Sequence, residues 1–202
     1  PSLTQTLHNQ ALQKKRIETL SRCFDTIVIG GTMPELDDDL THNTCYIYDR
    51  GKMSGFYRKK NLFFAEVGKI TPGDSYKVFS AYGITFSVMI CADIFDENAF
   101  SFMRDNGVDI IFSPTFSLHK DETPDDKFRR DNEIYVSGAR ASGSIIVKVC
   151  GVKSEYKNFL QARSLVASPE GILYRVAPDE EEKPMIIKKE IAINKKSIDP
   201  IK

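Results

Sequence analysis

The sequence predicts an α/β fold, and three observations carry that expectation. In residues 84–90, Ile84, Phe86, Val88 and Ile90 alternate with Thr85, Ser87 and Met89, the period of a strand. Residues 96–107 then read as a short helix, begun by Asp96 as N-cap and closed at Gly107. Val108 to Phe112 is a second apolar run, so strand, helix and strand follow one another as in a βαβ unit. The same order returns downstream, with a helix over 127–142 stopped by Gly143 and a strand over 144–150. At 202 residues the chain is long enough for one full core, and residues 1–202 are expected to form a single domain.

The remaining elements fall into place around that unit. Residues 4–24 read as a helix with Leu7, Leu12, Ile17, Leu20 and Phe24 on its apolar side, and with Lys14, Lys15, Arg16 and Glu18 solvated. Residues 26–29 form a buried strand ending at a Gly30-Gly31 turn, and Asp37-Asp38-Asp39 an exposed loop. A hairpin is expected from 43–48 and 53–59 around Asp49-Arg50-Gly51-Lys52. Thr71-Pro72-Gly73-Asp74 is a turn before a short strand at 76–79. The chain closes on a meander, 163–168, 172–176 and 185–193, with Asp179-Glu180-Glu181-Glu182 as a solvated loop.

Composition excludes several classes of function. Lysine plus arginine equals aspartate plus glutamate at 28 each, which gives no support to a nucleic-acid or polybasic membrane surface. The longest apolar runs are strand-sized, so no membrane-spanning helix is expected. The cysteines, Cys23, Cys45, Cys91 and Cys150, are scattered without a CxxC pair, which argues against a zinc site and for free thiols in a cytosolic setting. No metal and no organic cofactor is indicated.

Cys91 is the candidate nucleophile, placed at the carboxyl end of the first strand and ahead of a helix. Free amides and the positive end of a helix dipole favour thiolate and can hold an oxyanion. Taken singly, Cys91, Lys59 and Glu66 are ordinary residues. In order they are not. Residues 57–63, Tyr-Arg-Lys-Lys-Asn-Leu-Phe, resemble the Tyr-Arg-Lys-x-His-Leu-Phe motif of the nitrilase, or carbon–nitrogen hydrolase, superfamily. Gly83 to Asp93 is similar to its Gly-x-x-Ile-Cys-Tyr-Asp nucleophile strand, and Pro72-Gly73 to its Pro-Gly turn. Upstream, Gly30-Gly31-Thr32-Met33-Pro34-Glu35 and Asn43-Thr44 resemble the family's Gly-Gly-x-x-Pro-Glu and Asn-Thr stretches. Downstream, Arg140-Ala141 and Ser164 to Gly171 fit its Arg-Ala helix and its last hairpin.

The resemblance implies a four-layer α-β-β-α sandwich (nitrilase-like) and a Glu-Lys-Cys triad. Cys91 would attack the carbon of a linear amide, nitrile or carbamoyl group. Lys59 and the backbone N–H of Ala92 would stabilise the oxyanion, and Glu66 would orient the substrate. Asp93 would be structural, and Thr115 and His119, on the loop over 113–124, would belong to the pocket. A small-molecule substrate and a homodimer or higher homo-oligomer are also implied. Three positions depart from the pattern: Asn61 replaces the histidine after the lysine, Ala92 the tyrosine after the cysteine, and Phe95 to Asn98 the usual Arg-Phe-Pro-Glu. The general-base glutamate is not visible, since Glu18 lies mid-helix and Glu35 matches another position. The expectation is therefore a domain lacking its N-terminal strand and helix, inactive as it stands. Two alternatives are an inactive binding or scaffold protein of the same fold and a Cys-His hydrolase pairing Cys91 with His119.

Overall fold

The computed structural model describes residues 9–117, 122–152 and 163–193. His119, Leu7 and the segment 153–162 lie outside the described residues. Two β-sheets pack face to face, with helices on both outer sides, which is the four-layer α-β-β-α arrangement.

One sheet is built on a single long strand. Strand β3 (Leu40–Asp49) pairs along one side with β1 (Ile27–Ile29) and β2 (Met33–Asp37), and along the other with β4 (Lys52–Arg58), all antiparallel. Alternation along β3 decides what each face touches. Tyr46 and Tyr48 join Met33 and Ile17 beneath helix α1 (Gln10–Cys23), whereas Cys45 and Ile47 enter the central core.

The aspartate run is the tip of the β2–β3 hairpin rather than a free loop. Asp37 closes β2, and Asp38 turns with φ +49. Aspartate tolerates that left-handed conformation because its short side chain can satisfy local backbone groups. On α1 the expected apolar side is corrected. Leu12, Leu20 and Phe24 are exposed, and Ile17 and Ser21 are the buried pair, one turn apart. Lys14 is also not simply solvated, since its ammonium lies over the Tyr46 ring at 4.1 Å.

The second sheet has six strands in the order β10-β9-β8-β7-β6-β5. These are β5 (Val78–Ala81), β6 (Ile84–Val88), β7 (Ile110–Thr115), β8 (Ile145–Cys150), β9 (Leu165–Ser168) and β10 (Gly171–Arg175). Strands β6, β7 and β8 run parallel, and the outer pairings are antiparallel. Helix α2 (Glu97–Asp105) makes the β6–β7 crossover, with the Asp96 side chain accepting from the Asn98 N–H as its cap. The second crossover is one continuous helical stretch with three parts. Helix α3 (Pro124–Asp131) widens into a π-turn (Asn132–Val136) and tightens again into α4 (Ser137–Ser142). It ends at Gly143, whose φ of +71 is left-handed, as the sequence predicted.

The last expected strand does not form. Residues 184–193 carry no strand, and Ile186 is fully exposed; among the described residues no strand pairs with this run. Nor is the acidic stretch before it wholly solvated. Glu181 is 2% exposed and accepts from Lys127 Nζ at 3.0 Å.

Candidate active site

Strand β6 ends at Val88, three residues before Cys91, so the thiol is not on the strand itself. Met89 and Ile90 continue as buried chain, and Cys91 opens a short 3-10 turn, Cys91–Phe95, with φ +49. Helix α2 begins only at Glu97, so the amides near Cys91 are those of the short turn and not of α2. The other non-glycine residues with positive φ among the described residues, Asp25, Asp38, Arg50 and Tyr82, occupy exposed turns. At Cys91 the same conformation, which costs on the order of 1–2 kcal/mol, points a thiol into a cavity of about 210 Å³. Thr115, Phe63 and Tyr135 share the cavity wall.

One buried carboxylate fixes the turn. Asp93 accepts from its own turn at the Ile90 N–H (2.9 Å), and across the core from the Tyr57 hydroxyl (2.8 Å) and the Asn61 N–H (2.7 Å). Tyr57 and Asn61 flank Lys59, so Asp93 ties the segment carrying the lysine to the turn carrying the cysteine. Burial raises the Asp93 carboxyl above the ordinary carboxylate range, outweighing its three hydrogen bonds and the charge of Lys59. Its structural role matches the sequence expectation.

Lys59 follows the end of β4 and is 2% exposed. Its amide donates to Asn43 O (2.8 Å), and its carbonyl accepts from the Gly73 N–H (2.8 Å). Gly73 leaves no room for a side chain there, since a Cβ would stand 2.4 Å from the Arg58 carbonyl oxygen. The Lys59 ammonium forms an ion pair with Glu66, which also accepts from the Phe63 N–H (2.8 Å) and Asn43 Nδ2 (3.0 Å). Burial works to raise the Glu66 carboxyl, but Lys59, the Phe63 amide and Asn43 outweigh it and hold the group below its ordinary value.

The structure thus brings Cys91 and Thr115 to one cavity, with Ala92 next along the turn. Lys59 and Glu66 are not in that cavity's wall. Glu66 connects to it through the Phe63 N–H, since Phe63 does line the cavity. Asn61, in place of histidine, turns away from Lys59. Its amide nitrogen donates to the Tyr76 hydroxyl (2.6 Å) and to Asp96 Oδ2 (3.3 Å). Sequence reasoning missed four charged residues of the wall: Arg130, Asp131, Lys148 and Arg163. A signal was there in Lys148, a charge inside a strand of otherwise buried type.

Glu35 lies near this machinery without joining it. It accepts from Thr44 Oγ1 (2.7 Å) and Arg58 Nε (3.0 Å). Burial raises its carboxyl, and Arg58, Thr44 and Tyr46 together overcome that and bring it down to about 2. A lowered folded pKa stabilises the fold above the ordinary value of 4.5 and loses that contribution as pH falls through about 2. Glu35→Gln is expected to flatten that part of the acid limb in urea unfolding measured across this range. An unchanged limb would show the contacts to be energetically idle.

The sequence matches the carbon–nitrogen hydrolase family over residues 6–195. The chain belongs to that family. Among curated relatives, nitrilase homolog 2 of Dictyostelium discoideum is 27% identical over 140 residues, 61% of this chain and 43% of the relative. Human omega-amidase NIT2 is 29% identical over 154 residues, 69% of this chain and 55% of the relative. The chain therefore spans about half the length of these relatives. The solved carbon–nitrogen hydrolase of Helicobacter pylori superposes with a TM-score of 0.75 at 20% identity, covering 88% of this chain and 66% of that one. An amidase from Nesterenkonia sp. AN1, with acrylamide added at its active-site cysteine, gives 0.70 at 20% identity, covering 81% and 63%. These likenesses establish the four-layer fold. Among the described residues no helix is long and apolar enough to cross a membrane, and no group of three or more His, Cys, Asp or Glu could hold a metal ion.

Proposed function

We propose that this chain carries the nucleophile of a thiol amidohydrolase acting on a small linear C–N substrate, an amide, nitrile or carbamoyl compound. The observation that carries the reading is the Asp93 clamp, which ties the segment carrying Lys59, through Tyr57 and Asn61, to the turn that opens at the left-handed Cys91. Relatives named as omega-amidases support it.

With an amide as substrate, Cys91 Sγ forms a bond to the carbonyl carbon, and the electron pair moves onto oxygen. The Lys59 ammonium and the Ala92 N–H are assigned to that oxyanion. Collapse breaks the C–N bond, and the amine leaves carrying the proton given up by the thiol. Water then attacks the thioester, the S–C bond breaks, and a carboxylic acid is released with the thiol restored. Glu66 directs Lys59 through their ion pair, which makes it a positioning residue in this scheme.

Lys59→Met keeps the length of the side chain and removes the charge. It is expected to lower kcat by about 10²-fold or more, the scale of losing one oxyanion donor, with a smaller change in KM. Steady-state ammonia release over a range of substrate concentrations measures both constants. Equal and measurable turnover by the two proteins would remove Lys59 from the mechanism. One domain, a cytosolic setting and a homodimer or higher oligomer complete the proposal, and sedimentation of the purified protein tests the last.

A further inference from the structure

Exposed phenylalanines gather at one place on this molecule. Phe63, Phe95 and Phe116 all line the cavity that holds the Cys91 thiol, and they are 39%, 68% and 51% exposed. Phe64, more exposed still, packs its ring on Phe63 with centroids 4.3 Å apart. The charged residues Asp131, Lys148 and Arg163 of the same wall are buried. The cavity thus has a charged floor and an aromatic mouth.

The backbone beneath each ring is fastened. The Phe63 N–H donates to Glu66 at 2.8 Å. Phe95 closes the turn that Cys91 opens, between clamped Asp93 and Asp96, which accepts from the Tyr76 hydroxyl, Asn61 Nδ2 and the Asn98 N–H. Phe116 directly follows β7, where Thr115 Oγ1 donates to Ser113 O at 3.1 Å. Phe95 also replaces the arginine that opens the usual Arg-Phe-Pro-Glu, so a charge is exchanged for a ring. Apolar side chains scattered singly over a surface need no explanation, whereas a group of them marks something that covers it. This group surrounds the entrance to a thiol, so whatever reaches Cys91 passes over it.

We propose that Phe63, Phe95 and Phe116 form an apolar subsite, and that the substrate carries an aromatic or branched-alkyl group next to the C–N bond cleaved at Cys91. The cavity, about 210 Å³ or roughly seven water molecules, takes the scissile group and a few carbons. The rings receive what projects beyond it. This rests on the reading of Cys91 as nucleophile, and the test separates the two.

Iodoacetamide and its N-benzyl derivative alkylate the same thiol with loss of iodide, and they differ by one ring. Peptide mapping follows Cys91 apart from Cys23, Cys45 and Cys150, and Cys91 of the urea-unfolded chain supplies the reference ratio. Folded Cys91 is expected to favour the N-benzyl reagent by roughly tenfold over that reference, the size of burying part of one ring. Phe95→Ser should remove most of the preference, Phe95→Leu should retain part of it, and Phe116→Ser should lower it independently. Both side chains are more than half exposed, so these variants should fold. In the unsubstituted protein, 3-phenylpropionamide or N-benzylacetamide should slow alkylation by iodoacetamide, and propionamide at the same concentration should not. The better protector tells whether the ring sits on the acyl or the amine side. Equal ratios in the folded and unfolded chains would overturn the subsite, as would a preference untouched by both serine variants. A lower sedimentation coefficient for Phe95→Ser with an unchanged ratio would give the ring to a contact between copies, and would overturn it too. Neither alkylation readout needs turnover. An aromatic preference without amide hydrolysis overturns the amidohydrolase reading alone, and hydrolysis of small unsubstituted amides without that preference overturns the subsite alone.

Discussion

Cys91→Ala is expected to abolish ammonia release, by about 10³-fold or more, while the protein stays folded. The thiol is half-buried at the head of a 3-10 turn, and Asp93, not Cys91, supplies the bonds that hold the turn. Removal of Sγ therefore takes away the attacking atom and little else. Cys91→Gly adds a second readout. With φ at +49, any Cβ at this position is strained, and glycine relieves the strain at the cost of a more flexible unfolded chain. Cys91→Gly is expected to be as stable as Cys91→Ala or more so, by up to about 1 kcal/mol, and equally inactive. Turnover retained in either variant would overturn the assignment of the nucleophile. A glycine variant clearly less stable than the alanine variant would show that the turn is not strained.

Asp93→Ala is expected to have the largest effect on stability, about 3 kcal/mol or more. It strands two buried donors, the Tyr57 hydroxyl and the Ile90 amide, and the half-buried Asn61 amide, each buried one costing about 1–3 kcal/mol when left unpaired. Tyr57→Phe removes one donor and leaves the carboxylate two, so about 1 kcal/mol is expected. Urea midpoints measure both. The pH dependence has the opposite sign from that of Glu35. The folded pKa of Asp93 is raised, so its contribution is full below the ordinary value of 3.8 and declines as pH rises through the folded value. Near-equal losses in the two variants would show that the clamp acts through Tyr57 alone.

How legible this was in the sequence differed from residue to residue. The parallel strands β6, β7 and β8 were readable because alternation and apolar runs are local properties, and their crossover helices carry their own caps. The hairpin turn at Arg50-Gly51 was readable for the same reason. Strand β2 was hidden because Met33–Asp37 interleaves a proline and two acids, and only its pairing with the first half of β3 makes it a strand. Residues 184–193 misled in the reverse direction, with a strand's composition and no strand pairing among the described residues.

At the site, the order of Lys59, Glu66 and Cys91 was legible. The charge around the cavity was not, because Arg130, Lys148 and Arg163 come from three separated segments. Glu66 reads as surface charge until the fold turns it back on Lys59.

The π-turn between α3 and α4 has a consequence for how this chain can change length. Arg130 and Asp131 precede it and Tyr135 lies within it, all at the cavity, while Ala139 and Ser142 beyond it are buried against neighbouring elements. Removing one residue from 132–136 would leave a continuous helix but rotate one half against the other by about 100°. Either the cavity wall or the docked end would then face the wrong way. Insertions and deletions are expected to be better tolerated at a tip such as Asp38, where the chain already reverses in solvent.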